Sequence, residues 1–232
     1  MLELGGKSAL VVRADADLRQ AADIAFSSFT LHAGQGCVLL TRHVVHRSLL
    51  DGFLDALATR ADAAVIGDPA DPGTTMGPLI SPDQLSRVAG YVDIGTAEGG
   101  EIVVGGKPVE RAGYFYRPTV IQGVTPGARV AHEEIFGPVA VVLPFDTDDQ
   151  AVAIADDFRF GLAGGVVSAD TGRAWEMARQ LRTGSVRING GGTAPDLAAP
   201  ITGWGASGIG AEHGLAGLLE FARPTSIAFR AG

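Results

Sequence analysis

The chain has 232 residues, enough for one large α/β domain or two small ones. Eighteen basic against 26 acidic residues leave a net charge of −8, which argues against nucleic acid or an anionic membrane surface as a partner, since both require clustered Lys and Arg. The start has neither the basic residues nor the apolar run of a signal peptide, and no stretch of about 18 apolar residues occurs; a single cysteine permits no intramolecular disulfide, so the expected location is the cytoplasm.

In chain order, residues 8–12 read as a strand and 17–29 as a helix. Residues 42–46 read as the next strand and 48–61 as a helix with Ser48 as N-cap and Leu49, Phe53, Leu54 and Leu57 on one face. A Pro- and Gly-rich loop covers 67–78. Ser81-Pro82 opens a helix to about residue 97, where Gly99-Gly100 ends it. Strands are expected at 101–104 and 139–145, with 114–120 extended between them. Thr147 and Gln150 form a capping box for a helix to about Phe158. A strand at 162–168, a helix at 172–182, a strand at 185–189, a Gly- and Pro-rich stretch at 190–210, a helix near 214–221 and a strand at 226–229 complete the series. Strands separated by helices need crossover connections, so the expected fold class is α/β: a three-layer, mainly parallel sheet with helices on both faces.

The lone Cys37 lies in His32-Ala33-Gly34-Gln35-Gly36-Cys37, where the glycines allow close approach to the backbone; core packing and a nucleophilic role both remain open from these residues alone. His32 is a poor candidate as its base, because nearness in sequence supplies no geometry. His43 and His46, three apart on a strand, face opposite sides and cannot share a metal ion. The run from Gly203 to Gly208 matches G-x-G-x-x-G but follows a poor strand, with no acidic residue placed about 20 positions on at the end of a second strand; it reads as a loop.

Three separated stretches change the reading of Cys37. Leu2-Glu3-Leu4-Gly5-Gly6-Lys7-Ser8, Gly34-Gln35-Gly36-Cys37 and Glu133-Glu134-Ile135-Phe136-Gly137-Pro138-Val139 resemble, in order and spacing, the signatures of the NAD(P)-dependent aldehyde dehydrogenase superfamily. Gly161-Leu162-Ala163-Gly164-Gly165-Val166 and Ser185-Val186-Arg187-Ile188-Asn189-Gly190 extend the similarity over essentially the whole chain. The resemblance implies Cys37 as nucleophile and Glu3 as general base. It further implies Glu134 on the nicotinamide-side ribose hydroxyls, Phe136 beside the nicotinamide, and the backbone of Leu4 at its carboxamide. The implied cofactor is NAD or NADP and the implied substrate an aldehyde, oxidised to an acid through a cysteine thiohemiacetal and thioester.

Family members are about twice this length, so residues 1–232 are expected to form the catalytic domain, without the N-terminal Rossmann-like domain that binds most of the cofactor. On that view activity alone is reduced or lost, and Glu3, near the chain start, has little to fix it. Ile201, Thr202, Gly205 and Ala211 break the family pattern. Two alternatives stand beside the dehydrogenase: a cofactor-independent thiol esterase, and a non-catalytic remnant or interaction protein. A hydrophobic content of 46% with positive mean hydropathy leads us to expect exposed apolar patches and a homo-oligomer.

Overall fold

The structure is a computed structural model, which describes residues 1–156, 159–190, 196–230 and 232. Its elements in chain order begin β1 (Leu2–Glu3), β2 (Ser8–Val12), α1 (Leu18–Thr30), β3 (Leu40–His46), α2 (Leu50–Asp62), α3 (Pro82–Ala97), β4 (Glu101–Val104) and β5 (Thr119–Gln122). They continue α4 (Arg129–His132), β6 (Val139–Phe145), α5 (Asp148–Asp156), β7 (Phe160–Gly161), β8 (Ala163–Val167), α6 (Thr171–Ala178) and β9 (Ser185–Ile188). Four two-residue strands, β10 (Ile201–Thr202), β11 (Trp204–Gly205), β12 (Gly208–Ile209) and β13 (Ala211–Glu212), precede α7 (Gly214–Leu219).

Seven strands form one sheet in the order β4-β5-β6-β3-β2-β8-β9, parallel throughout except for the antiparallel edge strand β4. All five residues of β2 are buried, because helices cover both faces. Its side chains divide by the twofold alternation of a strand. Leu10 and Val12 join Ala21, Ala25 and Phe29 of α1 and Phe53, Leu54 and Leu57 of α2 in one core. Ala9 and Val11 face the other, with Val88 and Val92 of α3, Ile154 of α5 and Met177 of α6. The expected three-layer α/β fold is therefore the observed one.

Several local expectations need correction. Ser48 does not cap α2: residues 47–49 make a separate 3-10 turn in which the His46 Nδ1 accepts from Ser48 N at 3.2 Å, and α2 starts at Leu50. In the 114–120 stretch only Thr119 onward enters the sheet, since Pro118 has no N–H to give; Tyr116 makes just an isolated bridge to Pro108. Helix α6 ends at Ala178 rather than near residue 182. Thr147 Oγ1 accepts from Gln150 N at 3.3 Å, but the Gln150 side chain reaches back to the N–H of Asp146 and not to that of the cap residue. The expected end of that helix at Phe158 lies outside the described residues, as does part of the 190–210 stretch. Residues 226–229 form no strand; Ile227 and Phe229 are 85% and 89% exposed, and an alternating pattern stays unpaired where no sheet edge meets it.

The strand order decides where the functional candidates gather. Glu3 to Lys7 lead into β2, Cys37 precedes β3, and Glu134 to Phe136 precede β6, and these three strands are neighbours. All three segments thus arrive at the amino ends of adjacent strands. In open α/β sheets ligands usually lie at the carboxyl ends. Here those ends carry a closed polar network instead, in which Arg13 grips Asp148 with two bonds of 3.1 and 2.9 Å, and Asp15 and Ser168 complete it.

Candidate active site

Glu3 is held from within the chain. Strand β1 pairs antiparallel with β12, setting Glu3 opposite Gly208, and Leu4 N donates to Ser207 O at 3.0 Å. Ser207 is fully buried; its hydroxyl donates to Gly5 O at 2.8 Å and accepts from Gly161 N at 3.0 Å. The expectation that little fixes Glu3 is thus corrected for its backbone: the stretch that departs from the family pattern folds into the strand and hydroxyl that anchor residues 3–5. The G-x-G-x-x-G run is a turn, closed by Ser207 N donating to Trp204 O at 3.1 Å. At Gly208, with φ 143°, a Cβ would collide with the carbonyl of Leu2.

Gly5 and Gly6 form a clasp between the other two candidates. Gly6 N donates to Glu134 Oε1 at 3.0 Å. A Cβ at Gly5 would strike the Glu134 carboxylate, and one at Gly6 the carbonyl of Cys37. Two missing side chains thus let the carboxylate and the backbone of the thiol residue approach the same two residues. Glu134 is steadied from behind by α3, where Arg87 Nη2 donates to its carbonyl at 2.6 Å; Gln84 Nε2 donates to Phe136 O, also at 2.6 Å. Phe136 holds φ at 62°, a rare backbone state for a bulky residue, and its ring is partly exposed, as is Leu4.

Cys37 follows a tight turn in which His32 and Ala33 have φ of 51° and 55°. The turn is carried by Gln35, whose Oε1 accepts from Ile80 N at 2.9 Å and whose Nε2 donates to His32 O at 2.9 Å. His32 is exposed and enters this site through its carbonyl. His43 is a core residue, its ring edge-on to Phe29 and Phe53, whereas His46 packs against Phe145 near the surface; the two do face apart.

The electrostatics suit a base and a reluctant thiol. Burial raises the Glu3 carboxyl above its ordinary range, and Glu212 adds to the effect; Glu3 Oε1 is buried without a hydrogen-bond partner. Burial also raises the Cys37 thiol, with the charges of Glu134 and Glu3 in support and the N–H groups of Cys37 and Val38 in opposition. Ser207, Glu212 and Gln35 support this site without having been singled out by sequence; Gln35 lies inside a motif of the resemblance, whereas Ser207 and Glu212 carry no local signal.

A family model described as the aldehyde dehydrogenase family matches residues 1–227. A betaine aldehyde dehydrogenase of Cereibacter sphaeroides is 42% identical over 226 residues, which are 97% of this chain and 47% of that protein. A solved structure of betaine aldehyde dehydrogenase from Staphylococcus aureus in complex with NAD+ superposes with a TM-score of 0.92 at 40% identity, over 95% of this chain and 45% of that one. An NAD+ complex of aldehyde dehydrogenase from Bacillus cereus gives 0.90 at 39% identity, over 94% and 44%. The chain spans about half the length of the curated relatives it matches.

Proposed function

Because the chain belongs to the aldehyde dehydrogenase family, we propose that residues 1–232 are its thiol-bearing catalytic domain and serve the oxidation of an aldehyde to a carboxylic acid. The observation that carries this reading is the clasp of Gly5 and Gly6, which gathers Glu134 and Cys37 beside the strand of Glu3.

Cys37 loses its proton to solvent and its Sγ adds to the aldehyde carbon, whose carbonyl oxygen becomes the oxyanion of a thiohemiacetal. That oxyanion re-forms the carbonyl as the carbon gives up a hydride, leaving a thioester on Cys37; a bound nicotinamide would supply the hydride acceptor. Glu3 then takes a proton from water, the water oxygen attacks the thioester carbon, and the carboxylic acid leaves as the Cys37 sulfur departs. A carboxyl raised by burial is suited to that proton transfer.

The residues present fit the nicotinamide half of NAD or NADP. Glu134 spends Oε1 on Gly6 N, and Oε2 is the acceptor for ribose hydroxyls; the exposed ring of Phe136 and the exposed Leu4 offer apolar surface and backbone to the ring and its carboxamide. Relatives solved with NAD+ favour NAD. Their name makes a quaternary ammonium aldehyde the first substrate to assay. We read the protein as cytoplasmic and homo-oligomeric; no helix among the described residues is long and apolar enough to cross a membrane.

The test is formation of reduced cofactor from aldehyde by this chain and by a longer one carrying a dinucleotide-binding domain, each with Cys37→Ser. Activity in the longer chain that vanishes with Cys37→Ser is expected; activity that survives the substitution would refute the assignment. Ester hydrolysis without cofactor, lost in Cys37→Ser, would identify the thiol esterase instead.

A further inference from the structure

Between α4 and β6 the chain runs through Glu133 to Pro138 outside any helix or strand, yet its backbone is held in an unusual shape. Three consecutive carbonyls there accept from two side chains of α3. Arg87 Nη2 donates to Glu134 O at 2.6 Å and Arg87 Nε to Ile135 O at 3.2 Å. Gln84 Nε2 donates to Ile135 O at 3.1 Å and to Phe136 O at 2.6 Å. Residues 84, 87, 88 and 91 share one face of the helix, so a single rigid element meets the segment along its length. Tyr91 braces the guanidinium of Arg87, whose Cζ lies 5.0 Å from its ring centroid, and its hydroxyl donates to Glu133 Oε2. A left-handed backbone at a bulky residue, such as Phe136 with φ 62°, persists only where the surroundings over-determine it. The same stretch of helix also holds the turn of the thiol. Ile80 N, just before the N-cap Ser81, donates to Gln35 Oε1 at 2.9 Å. A Cβ at Gly34 would strike the Gly137 carbonyl, and one at Gly137 would strike Val88. Turn, segment and helix are thus packed with no room for a further side chain between them.

We propose that Gln84 and Arg87 are positioning residues: by fixing the carbonyls of residues 134–136 they hold Phe136 in its left-handed state, and so aim the Glu134 carboxylate and the Phe136 ring at the nicotinamide ribose and ring. The proposal rests on the reading of Glu134 and Phe136 given above. Neither Gln84 nor Arg87 needs to touch the ligand. Glu134 is tied in front by the Gly6 N–H and behind by Arg87, which leaves its carboxylate few orientations. Phe136 takes its bond from Gln84, and loss of that donor lets a strained residue relax toward an ordinary backbone state and swing its ring away. The bonds to Glu134 O and Phe136 O lie near solvent, so water can replace either side chain there, and the shape is lost before the fold is. With Gln35 bound to the start of the same helix, one element sets the separation of thiol and nicotinamide segment. A misplacement of about 1 Å is enough to slow such chemistry markedly.

The Cα chemical shift of Phe136 reports its backbone state without cofactor. In the unsubstituted chain it should take a left-handed value; in Gln84→Met, which keeps the length and loses the donor, it should move toward an extended or right-handed one. Arg87→Met should move Glu134 and Ile135 more than Phe136. The urea midpoint should change little in either variant, which separates a shifted segment from a loosened fold. A shift already ordinary in the unsubstituted chain, or one unmoved by Gln84→Met, would overturn the proposal, and the first of these needs no variant to fold. Nicotinamide mononucleotide, which carries the ribose, then reads the consequence. Its binding should weaken about tenfold in Glu134→Gln and about three- to tenfold in Gln84→Met. Binding weakened in Gln84→Met while Phe136 stays unmoved would mean that Gln84 touches the ligand itself, and would overturn the positioning role. Binding weakened by Glu134→Gln but indifferent to Gln84→Met would overturn it as well. Binding absent, or indifferent to Glu134→Gln, would refute the ribose assignment and the ligand half of this proposal, while the Phe136 shift would still decide whether Gln84 holds the backbone.

Discussion

The thiol of Cys37 lies in surroundings that disfavour its ionised form, because burial and two carboxylates act in the same direction. Removing either carboxylate must therefore make the thiol more reactive. Glu3→Gln and Glu134→Gln are each expected to speed alkylation by iodoacetamide near pH 7 by about two- to fivefold, since only the thiolate reacts. Rates unchanged in both variants would show that other groups govern the thiol. Glu3 behaves conversely. Its raised carboxyl stays protonated to higher pH than an exposed glutamate, so hydrolysis of a Cys37 thioester should fall on the acid side with an inflection above the ordinary carboxylate range, read from the pH profile of deacylation.

At the scale of elements, the short pairing of β1 with β12 has a large effect for four residues. Ser207 supplies its buried link: Ser207→Ala leaves Gly5 O and Gly161 N without their partner and should destabilise the chain by about 1–3 kcal/mol in urea denaturation. The same variant should slow deacylation more than acylation, because Glu3 is the group that loses its anchor; equal slowing of both steps would contradict this. None of this is legible in local sequence, since Ser207 joins residues 5 and 161, remote from it along the chain. By contrast β2, β4, β6 and α3 have the limits that sequence reading gives them. Mostly apolar runs mark the strands, with Gly100 and Gly105 flanking β4 and Pro138 preceding β6, and Ser81, whose hydroxyl accepts from Gln84 N at 3.1 Å, marks the helix. The unpaired 226–229 segment shows the limit of pattern: alternation describes a surface that could pair, and pairing needs an edge. The roles proposed for Cys37, Glu3 and Glu134 are legible only through family resemblance, because their neighbourhood depends on which strands lie side by side.

For the molecule as a whole, two buried or braced charges make stability rise with pH in two separate windows. Glu133 is held at about 2 by Arg129 and then Tyr91, whose hydroxyl donates at 2.7 Å. Its folded value lies below its unfolded one, so the stability it contributes is present above the ordinary carboxylate range and lost as pH falls toward about 2. Tyr91→Phe should flatten that acid limb in urea denaturation at stepped pH. Lys7 is also depressed, but as a base: between about 7 and its ordinary value the unfolded chain binds the extra proton, and stability rises with pH there. Lys7→Met should thus stabilise the protein most at low pH and progressively less in alkaline solution. The surface carries its own expectation. Leu215, Leu218 and Phe221 are 70%, 68% and 85% exposed on and just after α7, an apolar concentration unusual for a lone monomer. Concentration-dependent association in sedimentation, reduced by Leu218→Ser with Phe221→Ser, is the expected result; a monomer at all concentrations would remove the homo-oligomer from the reading.

The pairing of Glu3 with Gly208 also has a consequence in time. Contacts between distant parts of a chain form late, because a long loop must close before they are rewarded. Glu3 therefore waits for Gly208, far along the chain, before its strand is in place, while Cys37 and its turn can settle with α1 and β3 earlier. During refolding the thiol should become shielded before Glu3 begins to act, and the youngest folded chains would be ones that can take up an acyl group and are slow to let it go.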